Sequence, residues 1–230
     1  MIGIIGAMEV EIEGIRSKMT DKKEITVSGV RYVSGMLGGN EVVTAVCGIG
    51  KVFAAICTQT MILKFAPSVI VNTGVAGSLS AELNVCDIAV ADKVVQHDMD
   101  TSPLGDPKGL VSGINVIYFE ADKDVAALLS SVVKENGINT VSGTIASGDQ
   151  FIASKEVKNR IVSDFGAIAC EMEGAAIGHV CYVNKVPFAV LRAISDKADG
   201  VADMDYPSFC KLAAENYVKV VYAFCERYGK

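Results

Sequence analysis

Tryptophan is absent from the 230 residues, histidine occurs twice and proline five times. With aromatics at 7% against 50% hydrophobic residues overall, the core has to be built from Val, Ile, Ala and Leu, which suits a buried sheet flanked by helices. No Pro/Ser-rich stretch or composition shift offers a linker, so one domain over residues 1–230 is expected. Lys and Arg (21) are outnumbered by Asp and Glu (27) and form no stripe, which argues against a nucleic-acid binder and toward small-molecule ligands. No apolar run is long enough to span a bilayer, so no membrane association is expected. The apolar start Met1 to Gly6 lacks a cationic residue and meets Glu9, Glu11 and Glu13 at once, as a short buried strand does and a signal peptide does not. The seven cysteines show no CxxC spacing and sit mostly in apolar surroundings, as small hydrophobes do in a reducing cytoplasm. His97 and His179 lie far apart and near no cysteine pair, so no zinc site is expected.

Short, β-branched apolar runs recur at 2–5, 30–33, 42–46, 69–72, 87–95, 141–146, 168–170 and 188–194, several too continuous to have one wet face. Segments with helical spacing alternate with them, at 10–19, 52–65, 123–136, 155–164, 174–184 and 206–228. That alternation predicts an α/β fold with a central parallel or mixed sheet built through crossovers. Gly6, Gly48, Gly50, Gly74, Gly77 and Gly148 fall where strands are expected to end, the edge at which such sheets bind ligands. The stretch 98–113 has little periodicity and reads as a long loop over that edge.

Five local motifs bear on chemistry. Gly48-Ile49-Gly50-Lys51 invites a P-loop reading, but Ala45 stands where its first glycine belongs and Val52 where a magnesium-binding hydroxyl belongs; it is a glycine turn from strand to helix. Asn72 to Ser78 is a run of small residues after a strand, either a backbone wall against a flat ligand or merely a tight strand exit. In Cys170-Glu171-Met172-Glu173-Gly174 a strand runs into a carboxylate pair at a helix start, where the acids either serve a ligand or only complement the helix dipole. Arg192 to Asp196 ends a very apolar strand. A carboxyl at such a strand end serves either as a general acid or, more plainly, as the cap of the turn through Lys197 and Ala198. Arg192 is either a partner for a carboxylate or a strand-end charge. Of Glu9, Glu11 and Glu13, at spacing two, at most two can face the sheet edge.

Taken together and in order, GIIGAMEVEIE, NTGVAGS, SGDQFI, CEMEGAAIGHVC and LRAISDKAD resemble the 5′-methylthioadenosine/S-adenosylhomocysteine nucleosidases of the nucleoside phosphorylase superfamily, from residue 1 to about 210. The resemblance implies a homodimeric, cytoplasmic hydrolase with a twisted mixed sheet, needing no metal or cofactor, that splits 5′-thio-substituted adenosines into adenine and a thioribose. It places Glu11 as base for the attacking water, Glu173 on the ribose hydroxyls and Asp196 as acid at adenine N7, with Ser195 positioning that carboxyl. It places Phe151 on the adenine face, Ile152 at the base edge through its backbone, Met172 on the ribose, and Ala76 and Gly77 as the backbone wall. Arg192 is included among the substrate-binding residues. Met8, Ile49, Tyr206 and Phe209 would make an apolar pocket for an alkylthio group.

The chemistry is coherent without the name. Glycosidic cleavage passes through an oxocarbenium-like state, so it needs an acid at the leaving group and a basic carboxylate at a water on the opposite face. A third carboxylate at the sugar hydroxyls stabilises positive charge that develops only in the transition state. Val75 stands where many relatives carry Ser, and Thr101 and Leu104 where bulkier residues often line the partner subunit's part of the 5′ pocket. The rival readings are a purine or methylthioadenosine phosphorylase, an aminodeoxyfutalosine nucleosidase, and a non-catalytic nucleoside-binding protein. Against the first, there is no GDPxR-like segment near the N-terminus, and Glu11 would repel phosphate.

Overall fold

The first strand, β1 (Ile2–Gly6), is buried along its whole length and lies parallel between β4 (Asn40–Val46) and β5 (Val69–Ser78), so neither face needs polar residues. This computed structural model describes residues 1–198 and 206–229. Its remaining strands are β2 (Thr20–Val27), β3 (Val30–Leu37), β6 (Ile88–Gln96), β7 (Tyr118–Glu120), β8 (Thr140–Ser147), β9 (Ala167–Glu171) and β10 (Phe188–Asp196). They form one mixed sheet in the order β10-β6-β8-β9-β5-β1-β4-β3-β2, with β7 on β6. Because β10 also pairs with β5, the β5, β10, β6, β8 and β9 strands close on themselves, while β1 to β4 extend outward as an open wing.

Among the described residues six helices cover this sheet: α1 (Glu9–Lys18), α2 (Lys51–Phe65), α3 (Lys123–Glu135), α4 (Lys155–Phe165), α5 (Gly174–Asn184) and α6 (Tyr206–Arg227). On one face Ile12 and Ile15 of α1, Leu129 and Val132 of α3 and Val220 and Phe224 of α6 share a core with Ile4, Val71 and Leu191. On the other, Ala54, Cys57 and Met61 of α2 and Ile177 and Cys181 of α5 pack on Ile5, Ile70 and Val190. Helix α4 closes a third cluster through Ile161 and Phe165. The helix boundaries follow local chemistry: at the start of α3 the Asp122 carboxylate accepts from the Asp124 and Val125 amides, and α4 ends at Gly166 with φ of 62°.

The expected α/β architecture with a mixed central sheet is what the chain forms. Two strands escape the sequence reading. Residues of β2 are nearly all exposed, so no buried face writes an apolar pattern, and β7 has only three residues. A third expectation is corrected: Asn72 to Ser78 is not a turn after a strand but the second half of β5, which pairs with β10 as far as Gly77 opposite Asp196. The 98–113 stretch is irregular as expected, apart from a short 3₁₀ turn at Ser102–Leu104 and a bridge from Val111 to Val116.

Candidate active site

The carboxyl ends of β1, β5, β9 and β10 converge on one cavity, as the switch-point rule for α/β sheets requires. It is lined by Met8, Glu11, Ile49, Ala76, Gly77, Phe151, Ile152, Met172, Glu173, Ser195 and Asp196, all expected from the sequence, together with Ala7, Val75, Gln150, Cys170 and Glu171. Four carboxylates and no Lys, Arg or His stand among these lining residues.

Glu11, in the first turn of α1, is 4% exposed, whereas Glu9 pairs with Arg16 and Arg31 at the surface. Its Oε2 accepts from the Ala7 amide at 2.7 Å and the Met8 amide at 3.0 Å, folding back as the acid of a capping box does. Burial raises its pKa above the ordinary Glu value, and the Met8 amide and the Arg192 charge offset that only in part. Gly74 makes room for the other oxygen, since a Cβ there would lie 3.1 Å from Oε1.

The carboxylate pair at the end of β9 divides its work. Glu171, not Glu173, serves the helix start: its Oε2 accepts from the Glu173 amide at 2.9 Å and the Gly174 amide at 2.7 Å. Glu171 also accepts from Ser147 Oγ and from the Arg192 guanidinium. Although burial works the other way, Arg192 and Ser147 hold the Glu171 pKa below the usual carboxylate value. Glu173, freed from capping, reaches across the cavity, and its Oε1 accepts from the Gly50 amide at 2.8 Å. The glycine turn before α2 thus places one amide on a cavity carboxylate. Burial, then the neighbouring Glu171 charge, push the Glu173 pKa up to about 7.

Arg192 requires a correction. It is 1% exposed and does not line the cavity, so it is no substrate-binding residue in this structure; it lies behind the wall, bonding Glu171 and, at 2.5 Å, Asn72 Oδ1. Three buried carboxylates surround this one cation. Arg192→Met should therefore leave Glu171 charged and unpaired and cost about 3–5 kcal/mol in chemical denaturation; a loss below about 1 kcal/mol would refute the pairing. The Tyr206 and Phe209 side chains lie outside the described residues.

Asp196 is held at both oxygens. Ser195 Oγ donates to Oδ2 at 2.7 Å and the Ala198 amide to Oδ1 at 2.7 Å, so the plain turn-capping role and the cavity-facing position coexist. A register shift between Ile194 and Asp196 in the pairing with β5 leaves Ser195 as a bulge and brings Asp196 opposite Gly77, where a Cβ would lie 3.1 Å from Oδ1. Phe151 stands at the mouth, 78% exposed, on a loop tied down by the Asp149 amide to Asp98 Oδ2 at 2.9 Å and by the Lys51 amide to Asp149 Oδ1 at 2.8 Å.

The sequence reading missed Glu171, Ser147 and Asn72 as members of the site. One signal was present, because a charge at the last residue of a buried strand demands a partner, but which residue supplies it to Glu171 is seen only in the contact with Arg192.

The Phosphorylase superfamily profile matches residues 1–226. A 5′-methylthioadenosine/S-adenosylhomocysteine nucleosidase of Staphylococcus aureus is 43% identical over 224 residues, 97% of this chain and 98% of the relative. The crystal structure of the Neisseria meningitidis enzyme of that name, in complex with methylthio-immucillin-A, superposes with a TM-score of 0.93 at 35% identity over 98% of each chain. A futalosine hydrolase of Helicobacter pylori superposes with a TM-score of 0.91 at 40% identity, covering 97% of this chain and 96% of that one.

Proposed function

From the premise that this chain belongs to the phosphorylase superfamily, among its 5′-methylthioadenosine/S-adenosylhomocysteine nucleosidases, we propose how its own residues share the reaction. The chain is a hydrolase of N-glycosidic bonds, cleaving 5′-methylthioadenosine and S-adenosylhomocysteine to adenine and the corresponding thioribose. The observation that carries the division of labour is the placing of Glu11, Glu173 and Asp196 around one cavity with distinct partners.

As the C1′–N9 bond breaks, its electron pair passes into the purine, and Asp196 delivers a proton to N7 so that neutral adenine leaves. Water attacks C1′ from the opposite face, and Glu11 takes its proton through the oxygen that the Ala7 and Met8 amides leave free. Glu173 accepts from the ribose hydroxyls, whose acidity grows as the sugar becomes cationic. Phe151 covers the adenine face, Ile152 offers its backbone to the base edge, and Ala76 and Gly77 form the wall. Met172 packs on the ribose, and Met8 and Ile49 receive the alkylthio group. A phosphate nucleophile would have to enter among these carboxylates, which favours water.

Glu173 makes the scheme pH-dependent. Only its ionised form accepts two hydroxyl donors, and burial with the neighbouring Glu171 charge pushes its pKa up to about 7. The value of kcat/KM should therefore rise from about pH 6 to about pH 8, and Glu173→Gln should flatten that limb. The same shift bears on stability. Folded Glu173 holds its proton more tightly than the unfolded chain, whose value is near 4.5, so stability falls as pH rises from there through about 7. Glu173→Gln should thus raise the melting temperature at about pH 8 and leave it nearly unchanged at about pH 4; equal effects at both would refute the shift.

The reading extends to assembly: residues 1–230 act as one nucleosidase domain in a cytoplasmic homodimer, with the 98–113 loop of one subunit completing the other's 5′ pocket. Its support is the uncovered apolar surface at and beside the cavity mouth, Ile49, Val52 and Phe53 at the start of α2 with Phe151, and Leu104 at 85% exposure on that loop. No helix among the described residues is long and apolar enough to cross a membrane. The experiment that tests the function is a phosphate-free panel of 5′-methylthioadenosine, S-adenosylhomocysteine and aminodeoxyfutalosine, with products separated by chromatography and subunit mass measured by light scattering. Adenine from the first two supports it; release from the third alone, as the futalosine hydrolase likeness would have it, sinks it.

A further inference from the structure

Lys158 lies in the first turns of α4 and does not line the cavity, yet its ammonium reaches the strand ends that frame Asp196. Its Nζ donates to the Ser78 carbonyl at 2.9 Å and to the Lys197 carbonyl at 2.5 Å. Both carbonyls fall just past Gly77 and Asp196, the last residues that β5 and β10 pair with each other, so the ladder between these two strands offers them no further donor. We propose that Lys158 is a positioning residue for the general acid, acting through the Lys197–Ala198 peptide; the proposal rests on Asp196 being that acid.

The reasoning follows from peptide geometry. A trans peptide is planar, with its C=O and N–H pointing in opposite directions. Pinning the Lys197 oxygen to Lys158 therefore aims the Ala198 N–H the other way, where it donates to Asp196 Oδ1 at 2.7 Å. The cation also polarises that amide and strengthens its N–H as a donor. The peptide needs holding, because Ala198 has φ of 52°, a left-handed conformation that is unfavourable for a residue with a Cβ. Ala198 is seated directly on β5, where a Cβ at Gly77 would come within 2.9 Å of its own. Lys197 braces the same turn from the far side, through the Leu83 carbonyl at 2.9 Å and Asn84 Oδ1 at 3.0 Å. Since α4 follows at once on the loop bearing Phe151 and Ile152, Lys158 also sets the distance between that loop and the acid's strand.

The test separates leaving groups. Adenine needs a proton to depart, whereas 4-nitrophenolate leaves as a stable anion, so a 4-nitrophenyl 5-methylthioribofuranoside reports the site without the acid. Lys158→Met should lower kcat on 5′-methylthioadenosine about tenfold while KM stays within about threefold, a mispositioning effect. Turnover of the nitrophenyl riboside should stay within about twofold, because no proton is delivered there. Lys158→Arg, which keeps a cation and its donors, should recover most of the loss. Equal losses on both substrates, or no loss on either, overturn the proposal. Asp196→Asn runs alongside: selective loss on the adenine substrate upholds the acid reading whatever Lys158 does, and unselective loss removes that reading and this proposal together. Should Lys158→Met fail to fold, Lys158→Gln carries the same comparison.

Discussion

Asp196→Asn should lower kcat on 5′-methylthioadenosine by about 10³-fold, within the 10²–10⁴ that a positioned proton donor contributes. Asn is nearly isosteric, keeps an oxygen for the Ala198 amide and lies beside the same Ser195 hydroxyl, so the turn and the bulge survive. What it lacks is a proton to give to N7. Adenine release followed by chromatography reads the rate, and the melting temperature checks the fold. The loss should appear in kcat and not in KM, since the interaction with N7 forms only as the base departs. Retention of more than about a tenth of wild-type kcat would remove Asp196 from the acid role.

Glu11→Gln carries the second large effect, a fall in kcat of about 10²–10³-fold. The amide oxygen of Gln can still accept from the Ala7 and Met8 amides, but its nitrogen donates where the attacking water needs an acceptor. Burial already resists charge at this position, so a neutral side chain should not destabilise the chain, and the melting temperature should hold or rise near neutral pH. Loss of activity together with loss of fold would mean that Glu11 is structural. The acid limb of the wild-type kcat profile should begin above the range of an ordinary Glu, because the base must ionise against its burial.

The apolar runs of β1, β4 and β10 were legible because strands buried on both faces leave a continuous hydrophobic signature. β2 was not, because an exposed edge strand is held by backbone bonds to β3 that side-chain pattern does not record. β5 was read too short for a related reason: Gly74 and Gly77 look like turn residues, but they are strand positions where Glu11 and Asp196 press against the backbone. Within the site, strand and helix ends made Glu11, Glu173 and Asp196 candidates, and the ordered motifs gave them roles. The partition between Glu171 and Glu173 was not legible, since both stand beside the start of α5 and only three-dimensional contact tells which one meets Arg192 and the helix amides. Arg192 and Lys158 show the same limit, because each acts on the site from behind it through partners distant in sequence.

The central claim is that water, activated by Glu11, attacks the sugar on the face opposite a base protonated by Asp196. Proton NMR of the first turnovers of 5′-methylthioadenosine in phosphate-free buffer tests it directly. The account predicts that the α-anomer of 5-methylthioribose appears together with adenine, ahead of mutarotation; the β-anomer appearing first, or no sugar until phosphate is added, would contradict it.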